Sequence, residues 1–146
     1  MARAFEPGCS IGVLTERLAT ICGVVEAMDI SPTAVSRARK RCQTLENVRI
    51  KYGALPDGTS DGAFDLIVLS EICYYFTPRV LAGLADRLVK RLPIEGVLLA
   101  EHWLGNSRDH QLTGNQVHEI LDEIPGIVKT TSQRHDGFRI DRWLRI

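Results

Sequence analysis

A turn rich in small residues near the start of the chain, and a carboxylate further on, could together hold a nucleoside. The first apolar run leads into Glu6-Pro7-Gly8-Cys9-Ser10-Ile11-Gly12, and the next apolar run ends at Asp29, 21 residues after Gly8. Glycines let the backbone approach a ligand closely, and an acid at this distance is typical of a carboxylate that binds ribose hydroxyls. The chemistry indicated is therefore the binding of a ribose-containing ligand.

The spacing of the glycines argues against a diphosphate in this turn. Dinucleotide-binding turns follow the pattern G-x-G-x-x-G, in which helix N–H groups hold a pyrophosphate. Here Gly8 and Gly12 give G-x-x-x-G, and Glu6 would repel a phosphate and attract a cation. S-adenosylmethionine carries a ribose, an ammonium and a sulfonium but no phosphate, so it fits this combination. We expect Asp29 to bind its ribose and Glu6 its ammonium, directly or through water.

The elements around these residues predict an α/β fold. Strand-like and helix-like patterns alternate along most of the chain, which indicates a mostly parallel sheet with helices on both faces. Near the end, segments 127–135 and 138–146 are joined by Asp136-Gly137, a strong hairpin signal, and must pair antiparallel. Seven strands are predicted in all, at residues 2–5, 24–28, 48–52, 64–69, 97–102, 127–135 and 138–146.

The predicted strand ends select the candidate site residues. In open α/β sheets, ligands bind beyond the carboxyl ends of the strands, where the strand order reverses. The residues at these ends are expected to converge on one crevice: Gly8, Cys9, Gly12, Asp29, Ile30, Ala54, Leu55, Ser70, Glu71 and His102. Among them, Ile30 and Leu55 could stack against an adenine.

Two of these residues are candidates for proton transfer. If the ligand is S-adenosylmethionine, the expected reaction is transfer of its methyl group, a displacement at carbon to which a protein contributes mainly alignment. An amine nucleophile must be neutral to attack, which requires a proton acceptor or simple loss of the proton to water. Glu71 and His102 are the candidate acceptors, although Glu71 could instead orient a ligand and His102 could be a packed core histidine. Of Tyr74 and Tyr75, one is expected in the core and the other in the acceptor pocket.

Composition narrows the class of protein and the kind of partner. The chain has 146 residues, 45% of them hydrophobic and 25% charged, which predicts one globular domain over residues 1–146. Its 18 basic and 18 acidic residues balance, so the net charge provides no overall attraction to nucleic acid or to an anionic membrane. Four cysteines without a C-x-x-C pair, and no long apolar run, predict a cytoplasmic protein with reduced thiols. His102, His110 and His118 match no zinc-ligand spacing, so no metal site is predicted.

Several motifs resemble those of class I S-adenosylmethionine-dependent methyltransferases. They are Glu6-x-Gly8-x-x-x-Gly12, Asp29-Ile30-Ser31-Pro32 and the stretch 64–68, Phe-Asp-Leu-Ile-Val. Within that superfamily the chain is most similar to the nodulation protein S family, N-methyltransferases that act on amino-sugar oligosaccharides. This closer resemblance rests on segments 6–12, 70–75 and 102–118. It implies a Rossmann-like class I fold, S-adenosyl-L-methionine as cofactor, and a small-molecule or oligosaccharide acceptor such as the amine of an amino sugar.

The chain departs from these relatives in three ways. Ser10 stands where many have a glycine, and Ala54 stands where an acid often receives the adenine amino group. Relatives also usually carry a helical lid segment before the first strand, whereas this sequence starts at that strand. Either the segment is missing or the protein manages without it. A truncated, non-catalytic module that forms a homodimer through the uncovered face is therefore the alternative, while Glu6, the glycine spacing and the hairpin disfavour a nicotinamide-dependent oxidoreductase.

Overall fold

The computed structural model describes residues 2–59 and 61–146. Its strands are β1 (Arg3–Pro7), β2 (Val24–Asp29), β3 (Val48–Tyr52), β4 (Leu66–Ser70), β5 (Val97–Trp103), β6 (Ile127–His135) and β7 (Phe138–Arg145). Its helices are α1 (Val13–Leu18), α2 (Pro32–Arg41), α3 (Pro78–Val89) and α4 (Gly114–Asp122), with a short 3₁₀ helix at Cys73–Tyr75. None of the helices within the described ranges is long and apolar enough to cross a membrane.

The seven strands form one sheet in the order β3–β2–β1–β4–β5–β7–β6. Neighbours from β3 to β5 run parallel, and β7 pairs antiparallel with both β5 and β6. The predicted α/β class, the parallel sheet and its terminal antiparallel hairpin are confirmed. Because the strand order reverses between β1 and β4, their carboxyl ends are where a ligand crevice is expected.

Alternate residues of the central strands supply the cores on the two faces of the sheet. In β1, Phe5 belongs to the larger core with α3 and α4, whereas Ala4 belongs to a smaller core with α1. In β4, Ile67 and Leu69 face the larger core and Val68 the smaller one. This alternation follows from the two-residue period of a strand that is covered on both faces.

One predicted strand begins later than its apolar pattern indicates. Phe64 and Asp65 precede β4 rather than starting it. The Phe64 N–H donates to the carbonyl of Arg91, which lies outside the sheet, whereas the Asp65 N–H donates to Arg3 at the start of β1. The Phe64 ring is nevertheless fully buried and stacks on Phe5, with 5.0 Å between ring centroids. The apolar side chain of Phe64 is therefore explained by its packing in the core, although the residue lies outside the strand.

Candidate functional site

A cavity of about 600 Å³ opens at the carboxyl ends of β1, β2, β3 and β4. Its volume lies in the usual range for sites that hold small molecules and cofactors. Thirteen residues from these strand ends and the loops after them line it: Gly8, Ser10, Met28, Asp29, Ile30, Gly53, Ala54, Leu55, Ser70, Glu71, Ile72, Tyr75 and Phe76. The cavity therefore lies at the point where the strand order reverses.

The structure brings together most, but not all, of the residues predicted for this site. Gly8, Asp29, Ile30, Ala54, Leu55, Ser70 and Glu71 all line the cavity. The other four are not among its lining residues: Glu6 and Cys9 are buried, Gly12 is the N-cap residue of α1, and His102 is fully buried in the core. Any part they play is expected to be indirect, through the shape or charge of the surrounding structure.

The turn after β1 is shaped by left-handed backbone. Gly8, Ser10 and Gly12 have φ angles of 74°, 51° and 86°. The N–H groups of Gly8 and Cys9 both donate to the carbonyl of Met28, at 2.8 and 2.9 Å. A Cβ at Gly8 would lie 2.7 Å from the Cδ1 of Ile72, so the turn packs closely against the opposite wall of the cavity. Ser10 therefore occupies a left-handed backbone region that glycine enters without strain but that is unfavourable for a residue with a Cβ.

Asp29 joins this turn to the start of α2. Its Oδ2 accepts the Ser10 N–H at 2.8 Å and its Oδ1 accepts the Ser31 N–H at 2.9 Å. Ser31 caps α2 by accepting the Ala34 N–H. Each oxygen of an ionised carboxylate can accept a further hydrogen bond. Asp29 therefore lies on the cavity wall with its orientation fixed and with acceptor capacity left for a diol.

Glu6 lies beneath the turn in an apolar setting. Its side chain is 3% exposed, and Thr15 Oγ1 donates to its Oε2 at 2.7 Å. Burial raises the pKa of Glu6 to about 7, and the hydrogen bond from Thr15 only partly offsets this rise. Near neutral pH, a positive charge brought close to Glu6 would favour its ionised form.

We predict that Glu6→Gln removes a pH dependence from the stability of the fold. Because the pKa of Glu6 is higher in the folded than in the unfolded protein, its protonated form contributes to stability. This contribution is fully present below about pH 4.5 and is lost as the pH rises through 7. Between pH 5 and 7.5 the wild type should lose about 2 kcal/mol relative to the variant. Urea unfolding of both proteins at the two pH values measures the difference. A constant difference would show that Glu6 ionises normally in the folded protein.

Carboxylates lie at the ends of β4 and β5. Glu71, directly after β4, has a φ of 56°, and its two oxygens accept the Tyr74 hydroxyl and the Trp103 N–H, each at 2.6 Å. Ser70 Oγ donates to Oε2 of Glu101 at 2.9 Å. Glu101 was not predicted from the sequence. It could have been included among the candidates, because it immediately precedes His102 at the end of a predicted strand.

His102 belongs to a buried chain of polar groups. Its Nε2 accepts the Cys73 N–H at 3.2 Å, its Nδ1 lies 3.0 Å from Nε2 of His118, and His118 Nδ1 lies 2.8 Å from Oδ2 of Asp141. These contacts assign both histidines a proton on Nδ1, which each donates along the chain. Burial, and secondarily the neighbouring histidines, lowers the pKa of His102 to about 3. In this structure both ring nitrogens are engaged within the core, so of the two candidate proton acceptors only Glu71 lines the cavity.

The tyrosines divide as expected, and the loop after Glu71 supplies a wall that sequence reasoning missed. Tyr74 is buried and its ring stacks on His110, with 4.1 Å between centroids, whereas Tyr75 is exposed and lines the cavity. Ile72 and Phe76 line it as well. Residues 2–59 and 61–146 contain no group of three or more His, Cys, Asp or Glu side chains placed to hold a metal ion.

The sequence is similar to a family model and to several related proteins of known name. A family model described as Nodulation protein S (NodS) matches residues 1–114. Nodulation protein S of Bradyrhizobium diazoefficiens is 32% identical over 109 residues, 74% of this chain and 50% of the relative. That of Rhizobium tropici is 35% identical over 75 residues, 51% of this chain and 32% of the relative. The chain therefore spans half or less of the length of these relatives.

Solved structures match the fold over nearly the whole chain. A provisionally assigned methyltransferase from Pseudomonas syringae is 35% identical, with a TM-score of 0.86, and the match covers 99% of this chain and 87% of that one. The N-methyltransferase NodS from Bradyrhizobium japonicum WM9, in complex with S-adenosyl-L-homocysteine, is 23% identical, with a TM-score of 0.85 and coverage of 99% and 78%. The predicted Rossmann-like fold is confirmed by these likenesses.

Proposed function

The chain belongs to the nodulation protein S family, and from this premise we propose that it is an S-adenosylmethionine-dependent methyltransferase. The observation that carries the proposal is the cavity at the strand-order reversal, with Asp29 fixed on its wall and Glu71 at its β4 end. A nucleoside with a cationic tail fits this arrangement better than a diphosphate does, because the described residues that line the cavity include the acids Asp29 and Glu71 but no lysine or arginine.

The lining residues fit the parts of S-adenosylmethionine. Asp29 would hold the ribose hydroxyls, and Ile30 and Leu55 would flank the adenine beside Ala54. The turn at Gly8 would face the methionine portion, with Ser70 on the opposite strand end. Glu6 would act through its charge from beneath the turn, and Cys9 and Gly12 through the shape of the backbone.

The acceptor we propose is an amine of a small molecule or oligosaccharide, with an amino sugar as the leading candidate. When bound, S-adenosylmethionine would supply an activated methyl group that is transferred by direct displacement. Glu71 would accept a proton from the amine, and the rigid strand ends would align the amine with the methyl carbon, which can supply several kcal/mol of the barrier. The related Bradyrhizobium japonicum protein is an N-methyltransferase, which supports nitrogen as the methylated atom.

Two measurements test the proposal. Calorimetry should show saturable binding of S-adenosylhomocysteine, and radiolabelled S-adenosylmethionine should pass its methyl group to an amino-sugar oligosaccharide with one free amine. The fully N-acetylated oligosaccharide of the same length is the matched control and should stay unlabelled. Absence of binding would contradict the proposal, and binding without transfer to any amine would favour the non-catalytic module.

The proposed setting is the cytoplasm. All four cysteines, Cys9, Cys22, Cys42 and Cys73, are free and buried, which supports a reducing compartment. Formation of a homodimer stays a prediction, and light scattering on the purified protein tests it.

A further inference from the structure

The adjacent strands β4 and β5 bring two glutamates together at the edge of the cavity. Ser70 pairs with Glu101 in the parallel register, and the Glu71 N–H donates to the Glu101 carbonyl at 3.0 Å. The Glu101 carboxyl accepts the Ser70 hydroxyl at 2.9 Å, and Glu71 is near enough to raise the pKa of Glu101. Ser70 and Glu71 line the cavity and Glu101 does not, so any effect of Glu101 on a ligand passes through its neighbours.

The environment of the pair favours a shared proton. Glu71 is fixed by the Tyr74 hydroxyl and the Trp103 N–H, so its carboxylate cannot turn away from Glu101 without losing both bonds. Burial raises the pKa of Glu101 to about 7; the hydrogen bond from Ser70 lowers it, and the neighbouring Glu71 raises it further. A charge on Glu71 therefore disfavours a charge on Glu101.

No cation offsets the pair within the described ranges. Neither glutamate forms an ion pair with a lysine or arginine there. The other titratable groups nearby are the buried Tyr74 phenol, on which His110 stacks, and His102, which is engaged in the core. The pair is thus a region of concentrated negative charge beside the cavity, stabilised by neutral hydrogen-bond donors but by no ion pair among the described residues.

We propose that Glu101 is a positioning residue that makes Glu71 half of a proton-sharing carboxyl pair, which takes up the proton released by the acceptor amine. The inference rests on the proposed function. The bound ammonium passes one N–H proton to Glu71, which restores the nitrogen lone pair. That lone pair forms the bond to the methyl carbon while the sulfur keeps the electrons of the broken carbon–sulfur bond. The proton then leaves the pair for water.

The pair also bears on which atom is methylated. The pair includes a carboxyl, Glu101, whose pKa is raised to about 7. This suits the pair to take up a proton from an ammonium, whereas a hydroxyl of an ordinary sugar requires a much stronger base. The negative charge would in addition attract a cationic amine over a neutral hydroxyl. The geometry therefore favours N-methylation over O-methylation.

The first experiment tests the pair without requiring turnover. Carbon-detected NMR follows the glutamate carboxyls through a pH titration in the wild type, Glu71→Gln and Ser70→Ala. The midpoint of Glu101 should fall by about one pH unit or more in Glu71→Gln, because a charged neighbour is removed, and should rise in Ser70→Ala, because a hydrogen bond to the ionised form is lost. Glu46→Gln, at an exposed position, is the control and should change neither. An unchanged Glu101 midpoint in Glu71→Gln overturns the inference.

The second experiment tests its role in turnover. Glu101→Gln should lower kcat about 10- to 100-fold and shift the acidic limb of the kcat profile to lower pH, with S-adenosylhomocysteine affinity unchanged. Glu101→Asp should restore part of the rate. If Glu101 had a purely structural role, its substitution would instead lower the rate equally at every pH. An active Glu101→Gln variant whose acidic limb does not shift overturns the inference. A wild type that binds no S-adenosylhomocysteine contradicts the proposed function, and the NMR titration then still decides whether the pair exists.

Discussion

Asp29→Asn is expected to weaken S-adenosylhomocysteine binding about 100-fold, which corresponds to roughly 2.7 kcal/mol. Hydrogen bonds to a charged acceptor contribute about 1.5–3 kcal/mol, and the proposed contact with the ribose diol is of this kind. Both carboxylate oxygens already accept backbone N–H groups, from Ser10 and Ser31. An amide in this position places an NH₂ group opposite one of those donors, so the turn and the ligand are both affected. Calorimetry on the two proteins measures the change.

A variant at Ser31 separates ligand binding from damage to the helix. Ser31→Ala removes the side-chain cap of α2 but keeps the backbone N–H that Asp29 accepts. It should lower the free energy of unfolding by about 1 kcal/mol, while affinity stays within about threefold. Equal losses of affinity in both variants would show that the ligand depends on α2 rather than on the Asp29 carboxylate. Undiminished binding in Asp29→Asn would contradict the proposed site.

The sequence was sufficient to predict the cavity because strand ends are local features. Gly8, Asp29, Leu55 and Ser70 each follow an apolar run, and the topology rule for parallel sheets then places them together. The Asp136-Gly137 hairpin, which starts the antiparallel edge, is equally local. These predictions needed only the strand pattern and the turn residues, not the identity of distant partners.

The direction in which a strand-end side chain points could not be predicted in the same way. Along β5, Leu98, Ala100 and His102 are buried on one face and Glu101 lies on the other. Because helices cover both faces of this sheet, apolar residues occur at every position and the pattern does not say which face holds the larger core. The partners of His102 are the Cys73 N–H after β4 and His118 on α4, both distant along the chain. The strand pattern marks Glu101 and His102 as strand-end residues, but it does not indicate that His102 points inward and that Glu101 lies beside Glu71.

Asp141→Asn is expected to lower the free energy of unfolding by about 3–5 kcal/mol, which is the usual effect of removing one partner of a buried ion pair. Asp141 is fully buried, and its Oδ2 lies 2.8 Å from both His118 Nδ1 and Arg139 Nη2, and 3.2 Å from Lys129 Nζ. Burial opposes its ionisation, but hydrogen bonds from neighbouring side chains, His118 among them, hold the pKa of Asp141 at about 2. The neutral amide would leave the largely buried Arg139 without a counter-charge. Urea unfolding at pH 7.5 measures the loss.

Asp122→Asn is the matched control, because Asp122 also contacts Lys129, at 2.8 Å, but is about one-third exposed. Solvent screens that pair, so we expect a loss of only about 1 kcal/mol. The two variants should also differ at the cavity. The chain from Asp141 through His118 and His102 ends at the Cys73 N–H, beside the segment that supplies Ile72 and Tyr75 to the cavity wall. Hydrogen exchange at Cys73 should therefore accelerate in folded Asp141→Asn and not in Asp122→Asn. Equal exchange in both would mean that the buried chain stabilises the core without holding the cavity wall.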